Sequence, residues 1–166
     1  MNFGDIPNGQ SVFVDANTLI YHFSSHPTFG AACRDLTERI AQGELQAFTS
    51  SHVLSNVAHR LMTIETCETF HWPYASIAQR LNQNHAEIPQ LTKFREAVES
   101  VPNLGIQVLP VTLSDVIEAA GISQTAELLS NDALVVAVMQ QHGLTNLASH
   151  DSDFDRIASL KRYAPV

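Results

Sequence analysis

The chain has 166 residues, with 9 Lys+Arg against 17 Asp+Glu and a formal charge of −8, the length of one domain. A content of 45% hydrophobic and 16% charged residues supplies one buried core and excludes intrinsic disorder. A charge of −8 excludes a broad basic surface that tracks nucleic acid by phosphate contacts alone, but not a site that meets phosphate through a metal.

Ser11-Val12-Phe13-Val14 reads as a short buried strand closed by Asp15, with a turn and a helix start through Leu19–Phe23. A helix is predicted from about Thr28 to Ala41, with Cys33, Leu36 and Ile40 on one face and Gly43 past its end. Leu45–Thr49 is a second strand; Ser50 and Ser51 offer N-caps to a helix over His52–Ile64, where Val53, Val57, Leu61 and Ile64 keep the helical period. The more polar stretch of about 67–101, with helical segments near Tyr74–Asn82 and Leu91–Val98, reads as an inserted helical hairpin and as the surface for a dimer or partner contact. Ile106–Pro110 is a third strand, and Thr112 caps a helix through Ala120. An almost wholly apolar helix follows over Ala133–Gln141; Thr145–Ala148 is a fourth strand, and Arg162–Val166 a fifth, at the edge. Strands alternating with helices imply one α/β domain over residues 1–166, a mostly parallel sheet of four to five strands covered on both faces.

No apolar run nears the ~18 residues of a membrane span, and MNFGDIPNGQ lacks the layout of a signal peptide, so the expected location is the cytoplasm, with no membrane partner. Cys33 and Cys67 lie in apolar-periodic segments without CxxC spacing and read as buried thiols.

In an open parallel sheet, sites form beyond the carboxyl ends of the strands. Asp15 closes the first strand, Asp151 and Asp153 follow the fourth, and Asp132 is the one charge in an otherwise apolar helix. A single acid at a helix start gains ~0.3–1 kcal/mol from the dipole, which accounts for any one of them but poorly for the set. Two such charges 4 Å apart repel by ~4 kcal/mol at an effective dielectric of 20, so converging acids require a cation or a proton. Oxygen-only ligands favour Mg²⁺ or Mn²⁺, and that chemistry suits phosphodiester hydrolysis.

FVDANTLIYHF, TSSHVLSNVAHRLM, NDALVVAVMQQHG and LTNLASHDSDFDRI resemble, in order and spacing, the motifs of the PIN-domain family, and among them the VapC-like toxins of toxin–antitoxin pairs. The resemblance covers nearly the whole chain. It implies a three-layer α/β/α sandwich, Mg²⁺- or Mn²⁺-dependent endoribonuclease activity on RNA, a homodimer, and a VapB-like antitoxin as inhibitor. By position, Asp15, Asp132 and Asp151 match the first, third and fourth family acids and Asp153 an extra acid in the same loop, all four as implied metal ligands and catalytic residues. Thr18 and Ser149 match supporting hydroxyls, and Asn131 the polar residue before the third acid. The second acid, usually Glu, is Asn56 here. An amide still ligates a hard cation but removes a charge and cannot act as a base, leaving either a weakened nuclease or a silent module that binds RNA or antitoxin.

Other chemistries fit less well. Asp15-Ala16-Asn17-Thr18 lacks the second acid of a DxDxT phosphatase loop, and Lys93 and Lys161, the two lysines, are poorly placed for it. GxSxG, HExxH and GxxxxGK[ST] are absent. His52, Asn56 and His59 share a helix face; His59 and Arg60, Arg156 and Arg162, and the aromatics Phe70–Tyr74 read as packing or paired groups before phosphate or base contacts.

Overall fold

The computed structural model describes residues 1–166. In chain order its elements are β1 (Ser11–Val14), α1 (Ala16–Phe23), α2 (Gly30–Ala41), β2 (Gln46–Ser50), α3 (Ser51–Phe70), α4 (Ile77–Gln83), α5 (Lys93–Ser100), β3 (Ile106–Leu109), α6 (Leu113–Ala126), α7 (Ser130–Gln141), β4 (Asn146–Ala148) and β5 (Lys161–Tyr163), with one short 3-10 turn before β1 and three between later elements. The strands form one sheet in the order β3-β2-β1-β4-β5, and every pair is parallel: Phe13 of β1 stands opposite Phe48 of β2 and Leu147 of β4.

That order fixes the layers. From β1 the chain steps outward to β2 and β3, then crosses back to β4 on the other side of β1. Right-handed crossovers that run in opposite directions place their helices on opposite faces. Accordingly α1 packs on α2 and α3, and α3 on α5, while α6 and α7 pair with each other. The outcome is the expected three-layer α/β/α sandwich on a five-stranded parallel sheet. Its core joins Val12, Phe13 and Val14 of β1, Leu147 of β4 and Val53 of α3 to the apolar run Val135–Met139 of α7, which is why α7 carries so little charge.

Several boundaries differ from the sequence reading for physical reasons. The helix expected to stop at Ile64 continues to Phe70. Glu65 and Thr66, which break the apolar period, are buried: Glu65 accepts hydrogen bonds from the N–H groups of Thr92, Lys93 and Phe94 (2.8, 3.0 and 3.1 Å) and so pins the start of α5 to α3. Thr66 returns its hydroxyl to Met62 O (2.7 Å). Hydrogen bonds to a charged acceptor contribute ~1.5–3 kcal/mol, enough to carry a helix through a polar turn. Likewise α6 runs past Gly121 to Ala126, held by its packing on α7.

Caps fall where expected, with Ser50 Oγ accepting from Val53 N (3.2 Å) and Thr112 forming a reciprocal capping box with Asp115. The 72–101 stretch buries Ile77, Leu81 and Leu91 in a satellite cluster against Trp72 and Phe70, so those aromatics pack. Cys33 is buried, Cys67 half-buried, and both are free thiols. No helix is long and apolar enough to cross a membrane.

Candidate active site

The direction of the strand order reverses between β1 and β4, and loops leaving the carboxyl ends of two such strands diverge to open a crevice. Asp15 follows β1 directly, and Ser149-His150-Asp151 follow β4. Asp132 comes from the first turn of α7, on the far side of the sheet from α1.

One carboxylate oxygen from each of Asp132, Asp151 and Asp153 lies within 4.8 Å of the others. Asp15 is set beside this trio. It is 8% exposed, and its Oδ2 accepts from Ser149 Oγ (2.7 Å) and Asn17 Nδ2 (2.8 Å). Ser149 Oγ in turn accepts from Asp151 N and from Asn17 Nδ2, both at 3.1 Å, joining the two strand ends through one hydroxyl. Thr18 Oγ donates to Ala148 O (3.0 Å) and Thr49 Oγ to Val14 O (2.9 Å), tying off carbonyls where the strands part. Asp151 Oδ1 accepts from Asp153 N (2.9 Å), which folds the acidic loop into a 3-10 turn.

The electrostatics match this crowding. Burial raises the Asp15 carboxyl above its usual range and Asp151 adds to the rise, against hydrogen bonds from Ser149 and the Ala16 N–H. Burial, then Asp151, Asp15 and Asp153 in that order, push Asp132 up to about 6. Asp15 therefore acts on the same field as the trio. Counter-charges are spent elsewhere. Arg162 grips Asp155 through two nitrogens (2.8 and 2.7 Å) and holds it below the usual carboxylate range, which removes Asp155 from the site. Arg156 reaches Asp153 at 3.1 Å, but both side chains are well exposed and such a pair is worth little; its other nitrogen donates to Glu127 O (2.7 Å), bracing the end of α6. Three or four carboxylates thus converge with one exposed arginine among them. This donor set, all hard oxygens, fits a divalent cation of the Mg²⁺ or Mn²⁺ type.

Asn56 lies half-buried in the second turn of α3 and donates to His52 Nε2 (3.2 Å), an imidazole whose basicity burial lowers. It makes no hydrogen bond to the acids. Asn131 is exposed and Asp132 half-buried. Asn17 reads in the sequence only as the missing second acid of a phosphatase loop, although it holds Asp15 and, through Oδ1, the His150 N–H (2.9 Å); its position two residues after a strand-end acid was the available signal.

The family model described as PIN domain matches residues 12–160. The chain is 28% identical over 155 residues to Ribonuclease VapC13 of Mycobacterium tuberculosis, covering 92% of this chain and 99% of that protein. Among solved structures it is similar to VapBC2 from Rickettsia felis bound to a DNA fragment from its promoter, with a TM-score of 0.59 at 12% identity, covering 94% of this chain and 99% of that one. It is also similar to VapC20 of M. tuberculosis, described as a toxin that cleaves the sarcin-ricin loop, with a TM-score of 0.58 at 18% identity, covering 89% and 95%.

Proposed function

The chain belongs to the PIN domain family, and from that premise we propose that it is a VapC-type endoribonuclease, the toxin of a cytoplasmic toxin–antitoxin pair, that hydrolyses RNA phosphodiesters with a divalent metal. The observation that carries this reading is the convergence of Asp132, Asp151 and Asp153 beside buried Asp15. Asp132, Asp151, Asp153 and Asp15 are the residues that would hold Mg²⁺ or Mn²⁺. Such a cation supplies Lewis-acid activation of water and neutralises charge developing on the phosphodiester.

The residues themselves orient the site. Ser149 and Asn17 fix the Asp15 carboxylate by two hydrogen bonds to one oxygen. Burial first, and the neighbouring acids second, disfavour the ionised Asp132 and Asp15 carboxyls, a cost that a bound cation would offset. Asn56 contributes an amide where a carboxylate would act as a base, so turnover is weaker than a four-acid site would give. The runner-up reading, a silent module that binds RNA or antitoxin, draws on that same residue.

Cleavage of a mixed structured RNA tests the reading. The wild type is expected to cut in Mg²⁺ or Mn²⁺ and to stop in chelator, and Asp15→Ala to lose at least about 100-fold in rate. Metal-dependent cleavage that survives Asp15→Ala would assign the activity to a contaminant.

A VapB-like antitoxin and a second copy of the chain are the proposed protein partners. Their surface is supported on α6, where Leu113, Val116 and Ile117 of its first turns are exposed, whereas the 72–101 stretch exposes Tyr74 alone among large hydrophobics. Ile117→Asp is expected to shift sedimentation toward monomer. Unchanged sedimentation of a dimeric wild type would return the interface to the 72–101 helices.

A further inference from the structure

We propose that Tyr21, His26, Phe29 and His150 form a stacking subsite for an unpaired RNA base beside the acidic centre; this deepens the ribonuclease reading and rests on it. The four rings form one continuous surface. His26 stacks on Phe29 with centroids 5.2 Å apart and planes 10° from parallel; Phe29 meets His150 at 4.4 Å, and Tyr21 meets His26 at 4.5 Å, Phe29 at 5.4 Å and His150 at 5.8 Å.

This is not core packing that happens to reach the rim. Tyr21 packs against the main apolar cluster, Phe29 lies outside it, and His150 is exposed. A phenylalanine placed against two imidazoles instead of the core leaves apolar area in water unless something covers it.

The surface is also built to hold its shape. His26 Nδ1 accepts from the N–H groups of Thr28 (3.3 Å) and Phe29 (3.2 Å), which fixes its ring. Tyr21 Oη is hydrogen-bonded to His150 Nδ1 at 3.1 Å. The turn between α1 and α2 closes through Ser25 at φ +50°, and a Cβ on Gly30 would stand 3.0 Å from the Ser25 carbonyl carbon and 3.3 Å from Tyr21 O, so glycine is what lets Phe29 sit so close to Tyr21. A rigid ring surface gives up little entropy on binding.

Position selects the ligand. Asn17 binds the His150 N–H with its oxygen and Asp15 Oδ2 with its nitrogen, so one amide sets the ring surface and the acids in fixed relation, and Asp151 is the next residue after His150. Arg60 of α3, whose guanidinium lies 4.9 Å from the Tyr74 ring centroid, opposes the larger upward push of burial on the Tyr21 phenol and so adds positive charge to the field around the rings. Flat aromatic faces beside an acidic centre proposed to process phosphodiesters fit a splayed-out base, and single-stranded or looped RNA presents such bases.

The test is binding of single-stranded RNA in Mg²⁺ with 2-aminopurine placed at each position in turn, using Asp132→Asn protein to limit turnover and the same background carrying Phe29→Leu or His150→Ala. One position is expected to be quenched, with affinity about 5- to 150-fold weaker in both ring variants and a similar loss when that base is made abasic. Folding of each variant is checked by circular dichroism, and Phe29→Leu keeps the apolar bulk. Unchanged affinity in both variants, or no quenched position, overturns the proposal. Cleavage by the wild type is read separately: cleavage with unaffected ring variants removes the subsite and leaves the nuclease, whereas quenching without cleavage keeps the subsite and removes the nuclease.

Discussion

Asp132→Asn is expected to raise the thermal midpoint of the metal-free protein near neutral pH by about 3–6 °C, while cutting RNA cleavage at least about 100-fold. The two effects have one origin. Burial and the carboxylates of Asp151, Asp15 and Asp153 push Asp132 up to about 6 from 3.8, so the ionised form is disfavoured in the folded chain relative to the unfolded one. Between about pH 4 and pH 6 the folded state holds a proton there that the unfolded chain has released, and stability falls with rising pH wherever the folded state binds more protons. Below about pH 4 both states are protonated and the wild type carries no penalty from this group; the loss accumulates up to about pH 6 and stays constant above it. The gap between Asn variant and wild type is therefore expected to open between pH 4 and 6. A gap already full at pH 4, or none at pH 7, would show that burial and the neighbouring acids do not disfavour the ionised Asp132 as their placement implies. Adding Mg²⁺ or Mn²⁺ is expected to raise the wild-type midpoint with concentration, as binding to the folded state alone requires, and to move the Asn variant far less. Differential scanning fluorimetry across pH, with chelator or metal, reads all three.

Much of this was legible beforehand because the acids interrupt patterns that are otherwise strict. Asp15 ends a run of four strand residues, Asp151 stands three beyond the end of β4, and Asp132 opens a helix whose next buried residues are Ala133 and Val135–Met139. Period and position were enough to gather them at the carboxyl end of the sheet. What stayed hidden depends on contacts between distant segments. Glu65 looks like the end of a helix because its burial is compensated by N–H groups 27 to 29 residues later, and no local pattern encodes that. The ring surface joins Tyr21 to His150 across 129 residues; in sequence these are an aromatic on α1, a histidine in the following turn and a histidine beside an acid, each unremarkable alone. Asn17 was visible only as part of a motif, whereas its two hydrogen-bonding ends set the geometry of both strand termini. Local sequence thus located the charge, and tertiary contacts decided how it is held.

Asn56→Glu is expected to raise cleavage about tenfold or more, since a positioned carboxylate acting as base contributes about 10²–10⁴ and part of that is lost to imperfect placement. The position is suited to it. Asn56 sits in the second turn of α3, which springs from β2 adjacent to β1, and α3 packs on α1 immediately beyond Asp15. The substitution gives up the hydrogen bond from Asn56 to His52 Nε2 but places a carboxylate within one helical turn of that imidazole, a favourable i, i+4 arrangement if His52 takes up a proton. Burial now lowers the basicity of His52; a carboxylate at 56 opposes that, so the His52 ring is expected to titrate at higher pH in the variant, measurable by NMR without any turnover. The rate and the titration separate the two readings of this residue. A wild type that cuts slowly and a variant that cuts faster mark Asn56 as a brake on a working site. A silent wild type with an active variant marks it as a switch that has turned the site off. If the His52 titration moves and neither protein gains activity, Asn56 is a neighbour of His52 and not a member of the acidic centre, and the weakness attributed to it must be sought among Asp15, Asp132, Asp151 and Asp153. Combining Asn56→Glu with Asp15→Ala completes the test: the double variant is expected to be as inactive as Asp15→Ala alone, because a base at position 56 does not replace a residue that would hold the metal.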